Sequence, residues 1–111
     1  LADKERVVAD LDFVAMGDIA SRMVNQSVKA LVKRDSLMAR EVLAMDDDLD
    51  AMHARTYRVI QDVMAGNPDI VIPAVSYLTI SSNLERLGDL ATNIAEEIIF
   101  MEEGEVIRHR E

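Results

Sequence analysis

Apolar side chains recur every three or four residues along most of this chain, and this period constrains the fold more than any other feature. Alternating spacings of three and four place residues on one stripe of an α-helix, facing a partner helix. No segment shows the period of two that is typical of a strand, so the pattern predicts an all-α protein. The middle stripe is Met38, Val42, Met45, Leu49, Met52, Thr56, Val59 and Val63. The last stripe is Ile70, Pro73, Tyr77, Ile80, Leu84, Leu87, Ala91, Ile94, Ile98 and Met101.

Glycine and proline are scarce, so few positions can end a helix. One predicted break precedes a helix capped by Asp35 or Ser36. The other begins at Gly66, which suits a helix C-terminus, and Asn67 or Asp69 can cap the next helix. Helices of about 30 residues are about 45 Å long, and short loops force them to lie antiparallel. The prediction is one domain over residues 1–111, an elongated antiparallel three-helix bundle with helices at about 3–33, 36–65 and 69–103.

The first helix has a looser apolar stripe than the other two, and Gly17 lies within it. A glycine inside a helix costs about 1 kcal/mol relative to alanine, so the helix can bend or break there. The stripe consists of Val7, Val8, Leu11, Val14, Ile19, Met23, Val28, Leu31 and Val32.

The composition excludes several classes of function. A formal charge of −9, from 21 acidic and 12 basic residues, argues against a nucleic-acid-binding protein, which needs clustered Lys and Arg. The chain has no cysteine, which removes disulfides, thiolate metal sites and cysteine nucleophiles.

The longest uncharged run, residues 70–84, contains Pro73 and is shorter than the roughly 18–20 residues of a membrane span. The N-terminal residues are charged and do not resemble a signal peptide.

Two pairs of carboxylates stand four residues apart, Asp46 with Asp50 and Glu85 with Asp89. Residues at this spacing are neighbours on a helix, and their charges repel unless a cation lies between them. The predicted stripe leaves Glu85 and Asp89 pointing outward, so a solvated acidic face and a metal site both remain open. Gly88 leaves room for the close approach of another helix or of an ion. Carboxylate oxygens are the ligands that Mg, Ca, Mn or Fe prefer.

Three stretches resemble the PhoU family. Residues 83–96, NLERLGDLATNIAE, resemble its signature helix, and residues 46–50 resemble its second acidic motif, acid-x-x-x-Asp. Residues 104–109 are similar to the usual end of such chains, and the resemblance covers roughly residues 15–110. It implies a cytoplasmic, non-enzymatic regulator of bacterial phosphate uptake. Such a protein contacts the phosphate-specific ABC transporter and the phosphate-sensing histidine kinase, and it dampens phosphate-starvation signalling when phosphate is plentiful.

The resemblance also implies a surface cluster of iron or another divalent metal such as Mn, Mg, Ca or Zn. Within the run of aspartates Asp47 is an alternative to Asp46, because the register of the motif is ambiguous there. The metal-binding positions carried over from the family motifs are Asp46, Asp50, Glu85 and Asp89, with Asn93 and Glu96 as less certain neighbours.

PhoU-like proteins usually carry two tandem three-helix repeats, and this chain contains one that resembles the second. The sequence starts at Leu1 rather than Met. We therefore expect either a C-terminal fragment or a single-repeat homologue that forms a homodimer. In both cases an exposed apolar stripe pairs with another repeat, since three helices leave open grooves.

Three other functions fit parts of the pattern. The first is a PhoU-like regulatory domain of a different transporter, such as a sodium–phosphate cotransporter or a potassium channel. The second is a carboxylate-bridged metalloenzyme, which needs a buried metal pair and an open substrate position. The third is a passive structural bundle, in which removing the acids changes neither metal content nor signalling.

Overall fold

In the part of the chain that the structure describes, three helices each pack against the other two. The computed structural model describes residues 11–66 and 71–110, with side chains at 11–66 and 74–104. The helices are α1 (Phe13–Lys33), α2 (Ser36–Gly66) and α3 (Val71–Arg110). The bundle measures 64 × 19 × 16 Å. The predicted elongated all-α three-helix bundle is therefore confirmed. Within the described ranges, no helix is long and apolar enough to cross a membrane.

Two residues with left-handed backbone mark the ends of α1. Asp12 adopts φ 48°, and its carboxylate accepts a hydrogen bond from the backbone N–H of Ala15, so α1 as described begins at Phe13 rather than continuing from residue 3. Arg34 ends α1 with φ 55°. Asp35 then caps α2 by accepting the backbone N–H of Met38 at 3.1 Å. The predicted turn is thus confirmed, with Asp35 rather than Ser36 as the cap.

The other predicted breaks are only partly covered by the described residues. Helix α2 ends at Gly66, as predicted. Helix α3 continues to Arg110, past the predicted end near residue 103, because Gly104 costs a helix only about 1 kcal/mol. Residues 1–10, the predicted caps Asn67 and Asp69, Ile70 and the side chain of Pro73 lie outside the described parts of the chain.

The apolar stripe predicted for α2 is confirmed, because each of its members is buried or half-buried. The stripe predicted for α3 is confirmed in part: Tyr77, Leu84, Ala91, Ile94 and Ile98 are buried or half-buried, whereas Ile80, Leu87 and Met101 are exposed. At several other core positions of α3, small side chains let the helices approach closely. The observed stripe of α3 is Ala74, Tyr77, Ser81, Leu84, Gly88, Ala91, Ala95 and Ile98.

The stripe predicted for α1 is also confirmed only in part. Its buried face is Met16, Ala20, Met23, Ser27 and Ala30. Four larger residues predicted to lie in its stripe are exposed: Val14, Val28, Leu31 and Val32. Both α1 and α3 therefore combine small and large residues in the core and leave several other large apolar residues exposed.

Candidate metal centre

Three carboxylates from two helices converge in the groove between α2 and α3. Asp46 and Asp50 come from successive turns of α2, and Glu85 comes from α3. One carboxylate oxygen of each lies within 4.8 Å of the others. Oxygens on opposite sides of a cation bound at 2.3–2.6 Å are separated by about 5 Å, so this spacing suits a single ion.

Gly88 explains how the two helices come so close at this point. A Cβ atom added to Gly88 would lie 2.5 Å from Leu49 Cδ2 and 3.3 Å from Asp46 Oδ1. Leu49 is fully buried, so its side chain has little space to move away. Of the two uses predicted for the space beside Gly88, the structure shows the close approach of a helix.

The acidic groups are less exposed than the sequence pattern suggested. Glu85 lies beside the helix contact and is half-buried, as is Asp46. Asp46 Oδ1 and Glu85 Oε2 are both buried and accept no hydrogen bond. An unsatisfied buried oxygen costs about 1–3 kcal/mol, more when it is charged. A cation bound between these two oxygen atoms would be the partner that both of them lack.

The electrostatics of the cluster favour protonation when no cation is bound. Burial, a hydrogen bond with Asp50 and the charges of the neighbouring carboxylates raise the pKa of Glu85 to about 8. Burial, followed by the charge of Asp50, also raises the pKa of Asp46. A bound divalent ion would have the opposite effect, because positive charge stabilises the ionised form of each carboxylate.

The residues present therefore fit a hard divalent cation. The donor set is all oxygen, two of its atoms have no other partner, and one side of the groove is open because Asp50 is exposed. These ligands suit Mg, Ca, Mn or Fe(II), whose remaining coordination positions can hold water.

The structure does not bring all of the predicted ligands together. Asp89 is exposed and outside the group of three, although its charge contributes to the raised pKa of Glu85. Asn93 lines a different groove, between α1 and α3. Glu96 is exposed about three turns further along α3. Of the alternatives Asp46 and Asp47, Asp46 belongs to the group of three, whereas Asp47 is exposed and lies outside it.

A buried polar contact one turn from the cluster was not predicted from the sequence. His53 Nδ1 lies 2.7 Å from Ser81 Oγ, and Ser81 is completely buried. His53 follows Asp50 by three residues, and Ser81 precedes Glu85 by four. No sequence signal links them, because the pairing depends on the register of α2 against α3. The burial of Ser81 keeps its hydroxyl from acting on a substrate.

The raised pKa of Glu85 predicts how stability depends on pH in metal-free protein. The folded state keeps this proton up to about pH 8, whereas the unfolded state releases it near 4.5. Retention of this proton therefore contributes fully to the free energy of unfolding below pH 4.5. The contribution is lost as the pH rises towards 8, and the free energy of unfolding falls by about 1–2 kcal/mol after allowance for screening by water. Urea unfolding of chelator-treated protein at pH 5 and pH 8 measures this loss. Glu85→Gln should remove most of this difference in stability between pH 5 and pH 8. A difference as large as that of the wild-type protein would contradict the assignment.

Comparison with known proteins gives one family. The PhoU domain model matches residues 13–98, which include the three carboxylates. A homologue from Xylella fastidiosa (strain 9a5c) is 33% identical over 91 residues, covering 82% of this chain and 39% of its own length. A homologue from Clostridium acetobutylicum is 30% identical over 92 residues, covering 83% of this chain and 42% of its own length.

A third relative, homologue 1 from Thermotoga maritima, is 34% identical over 84 residues, covering 75% of this chain and 36% of its own length. All three are named phosphate-specific transport system accessory protein PhoU homologues. The chain thus spans about two fifths of the length of these curated relatives. No solved structure gives a significant match.

Proposed function

The chain belongs to the PhoU family, and we propose that it is a non-enzymatic regulator of phosphate transport that works by protein–protein contact. It acts in the cytoplasm, on the phosphate-specific ABC transporter and on the phosphate-sensing histidine kinase. Through them it lowers phosphate-starvation signalling when phosphate is plentiful. The names of the relatives support the link to phosphate transport, and they favour this system over the sodium–phosphate cotransporter and potassium channel alternatives.

The acidic groove is proposed as the metal site of this regulator. Asp46, Asp50 and Glu85 would hold iron or another divalent ion such as Mn²⁺ or Mg²⁺, with Asp89 close enough to add negative charge. What most directly supports a bound ion is the pair of buried oxygens without partners, Asp46 Oδ1 and Glu85 Oε2. The ion would join α2 to α3, and so fix the surface that these helices present to a partner.

Expression of phosphate-starvation genes tests the regulatory role. In the native host, deletion of the gene should leave those genes active in high phosphate, and the wild-type gene should restore repression. Asp46→Asn/Glu85→Gln should restore it poorly if the metal site shapes the partner surface. The matched control is Asp48→Asn/Glu96→Gln, which removes the same two charges from exposed positions on the same helices and should restore repression fully.

The outcomes separate the regulatory role from the role of the metal. Unchanged expression after deletion would contradict the regulatory function itself. Full repression with both double variants would support the regulatory function and show that this function does not require the metal site.

A sedimentation experiment tests direct contact with the transporter. Purified chain mixed with membranes that contain the transporter should sediment with them, and equal sedimentation with membranes lacking the transporter would contradict direct contact.

A further inference from the structure

A hydrogen bond between α2 and α3 lies one helical turn from the carboxylate cluster, and the function proposed above does not use it. His53 Nδ1 lies 2.7 Å from Ser81 Oγ. We propose that His53 and Ser81 are positioning residues, which fix the register of α2 against α3 and so hold the three carboxylates of the cluster together. Their effect on metal binding rests on the proposed function, whereas the register itself can be measured without a bound ion.

The two residues are aligned with the metal ligands along both helices. His53 follows Asp50 by three residues on α2, and Ser81 precedes Glu85 by four on α3. Residues three or four apart are neighbours on one face of a helix, so each positioning residue points into the same groove as its ligand. Asp50 and Glu85 are themselves joined by a hydrogen bond. Two consecutive turns of α2 therefore make polar contacts with two consecutive turns of α3.

A hydrogen bond specifies the register of two helices more strictly than apolar packing does. It is lost once its two atoms are about 3.6 Å apart, and a slide of α3 by one turn would move Ser81 about 5.4 Å away from His53. The same slide would separate Glu85 from the ligands on α2. Burial of apolar side chains has no preferred direction and tolerates such a slide better. The bond between His53 and Ser81 therefore selects the register in which the carboxylates converge.

This bond can hold the site in shape both with and without an ion. The hydrogen bond of Glu85 with Asp50 uses ligand oxygens, so a cation bound to those oxygens would replace it. The bond between His53 and Ser81 uses no ligand atom. It therefore persists when the ion enters, and it keeps the ligands close together before the ion arrives.

Ser81 is itself held in place by contacts with α1. Ser81 Oγ donates a hydrogen bond to Met16 Sδ at 3.9 Å, and Thr56 Oγ1 of α2 lies 3.7 Å from the same sulfur. Met16, Thr56 and Ser81 are all buried, with at most 1% of their surface exposed. Side chains in a close-packed interior have little freedom to move. Ser81 is therefore a fixed partner for His53, connected to all three helices.

Metal affinity tests the proposal through the loss and return of this hydrogen bond. Ser81→Ala and His53→Leu should each weaken Mn²⁺ binding about 10–100-fold in isothermal titration calorimetry, since the loss of a group that orients metal ligands typically has an effect of this size. His53→Asn should bind Mn²⁺ as the wild-type protein does, because its amide can donate or accept at the position of Nδ1. Weakened binding in both His53 variants but not in Ser81→Ala would make His53 a ligand, and would overturn the proposal.

Ser27→Ala is the matched control for Ser81→Ala. Ser27 is also completely buried, but its hydroxyl donates to the backbone oxygen of Val24 within α1 and so links no helices. The control removes the same atom from the core and should leave Mn²⁺ affinity unchanged. Equal weakening of Mn²⁺ binding in the two serine variants would indicate a general loss of packing, and would overturn the proposal.

Spin labels measure the register in metal-free protein, because a chain without cysteine can be labelled at chosen positions. Arg55→Cys on α2 and Arg86→Cys on α3 replace exposed residues, and pulsed electron resonance gives the distance between the two labels. We expect one narrow distance in the wild-type background and in His53→Asn, and a broadened or shifted distance in Ser81→Ala and His53→Leu.

The two measurements separate this proposal from the metal assignment. The same narrow distance in all four backgrounds would overturn the positioning role, whatever the metal content. A wild-type chain that binds no Mn²⁺, but whose label distance changes in Ser81→Ala, would contradict the metal assignment and leave the positioning role supported.

Discussion

Replacing Gly88 with alanine should lower the free energy of unfolding by about 1–2 kcal/mol, although alanine is the better helix former by about 1 kcal/mol. The added methyl group would lie 2.5 Å from Leu49 Cδ2, and Leu49 is fully buried. It would also lie 3.3 Å from Asp46 Oδ1 and crowd a metal ligand. Urea unfolding at fixed pH without metal measures the change in stability.

Gly17→Ala is the matched control for this change. Gly17 also lies inside a helix, but a Cβ atom added there would have no neighbour within 4 Å. Alanine should therefore stabilise the protein by up to about 1 kcal/mol through helix propensity alone. The two substitutions should have opposite signs. Stabilisation by both would contradict the close packing of α2 against α3 at Gly88.

Asp46→Asn/Glu85→Gln should stabilise the metal-free protein and abolish its response to metal. Without an ion, the wild-type cluster holds two buried carboxyl groups whose pKa values are raised, and neutral amides remove that electrostatic cost. With an ion at 100 times its dissociation constant, the wild-type protein should gain about 2.7 kcal/mol. Thermal unfolding with chelator, and then with added Mn²⁺ or Fe²⁺, measures both effects.

The control for this prediction is Asp48→Asn/Glu96→Gln, which changes the net charge equally but leaves the three converging carboxylates intact. This variant should keep the full response to metal. An equal loss of response in both double variants would indicate a general effect of charge, and would contradict a site formed by Asp46, Asp50 and Glu85.

Much of the fold could be predicted because local chemistry determines it. Asp35 caps the first turn of α2 through its side chain, α2 ends at Gly66, and the α2 stripe follows its large apolar residues directly. The stripe of α3 could be predicted only in part, at large residues such as Leu84 and Ile98. Its other core positions are mainly Ala, Ser and Gly, which let a partner helix approach, and that partner is not visible in a local pattern.

The same limitation affected the candidate site. The pairs of acids and Gly88 are evident in the sequence, and they lie in the part of both helices where the structure brings Asp46, Asp50 and Glu85 together. The half-buried position of Glu85 depends on the rotation of α3 within the bundle. The contact between His53 and Ser81 depends on the register between α2 and α3. The spacing of residues three or four positions apart determines neither the rotation of α3 nor its register against α2. Both could be seen only in the structure.

The most direct test of the metal site is elemental analysis of the chain purified without chelator, beside the two double variants. We expect at least one equivalent of iron or manganese in the wild-type protein and in Asp48→Asn/Glu96→Gln, and none in Asp46→Asn/Glu85→Gln. A folded wild-type protein that contains no divalent metal, even after incubation with excess Fe²⁺ or Mn²⁺, would contradict the assignment. The three carboxyl groups would then be only a contact between α2 and α3, in which burial raises the pKa of Glu85 to about 8.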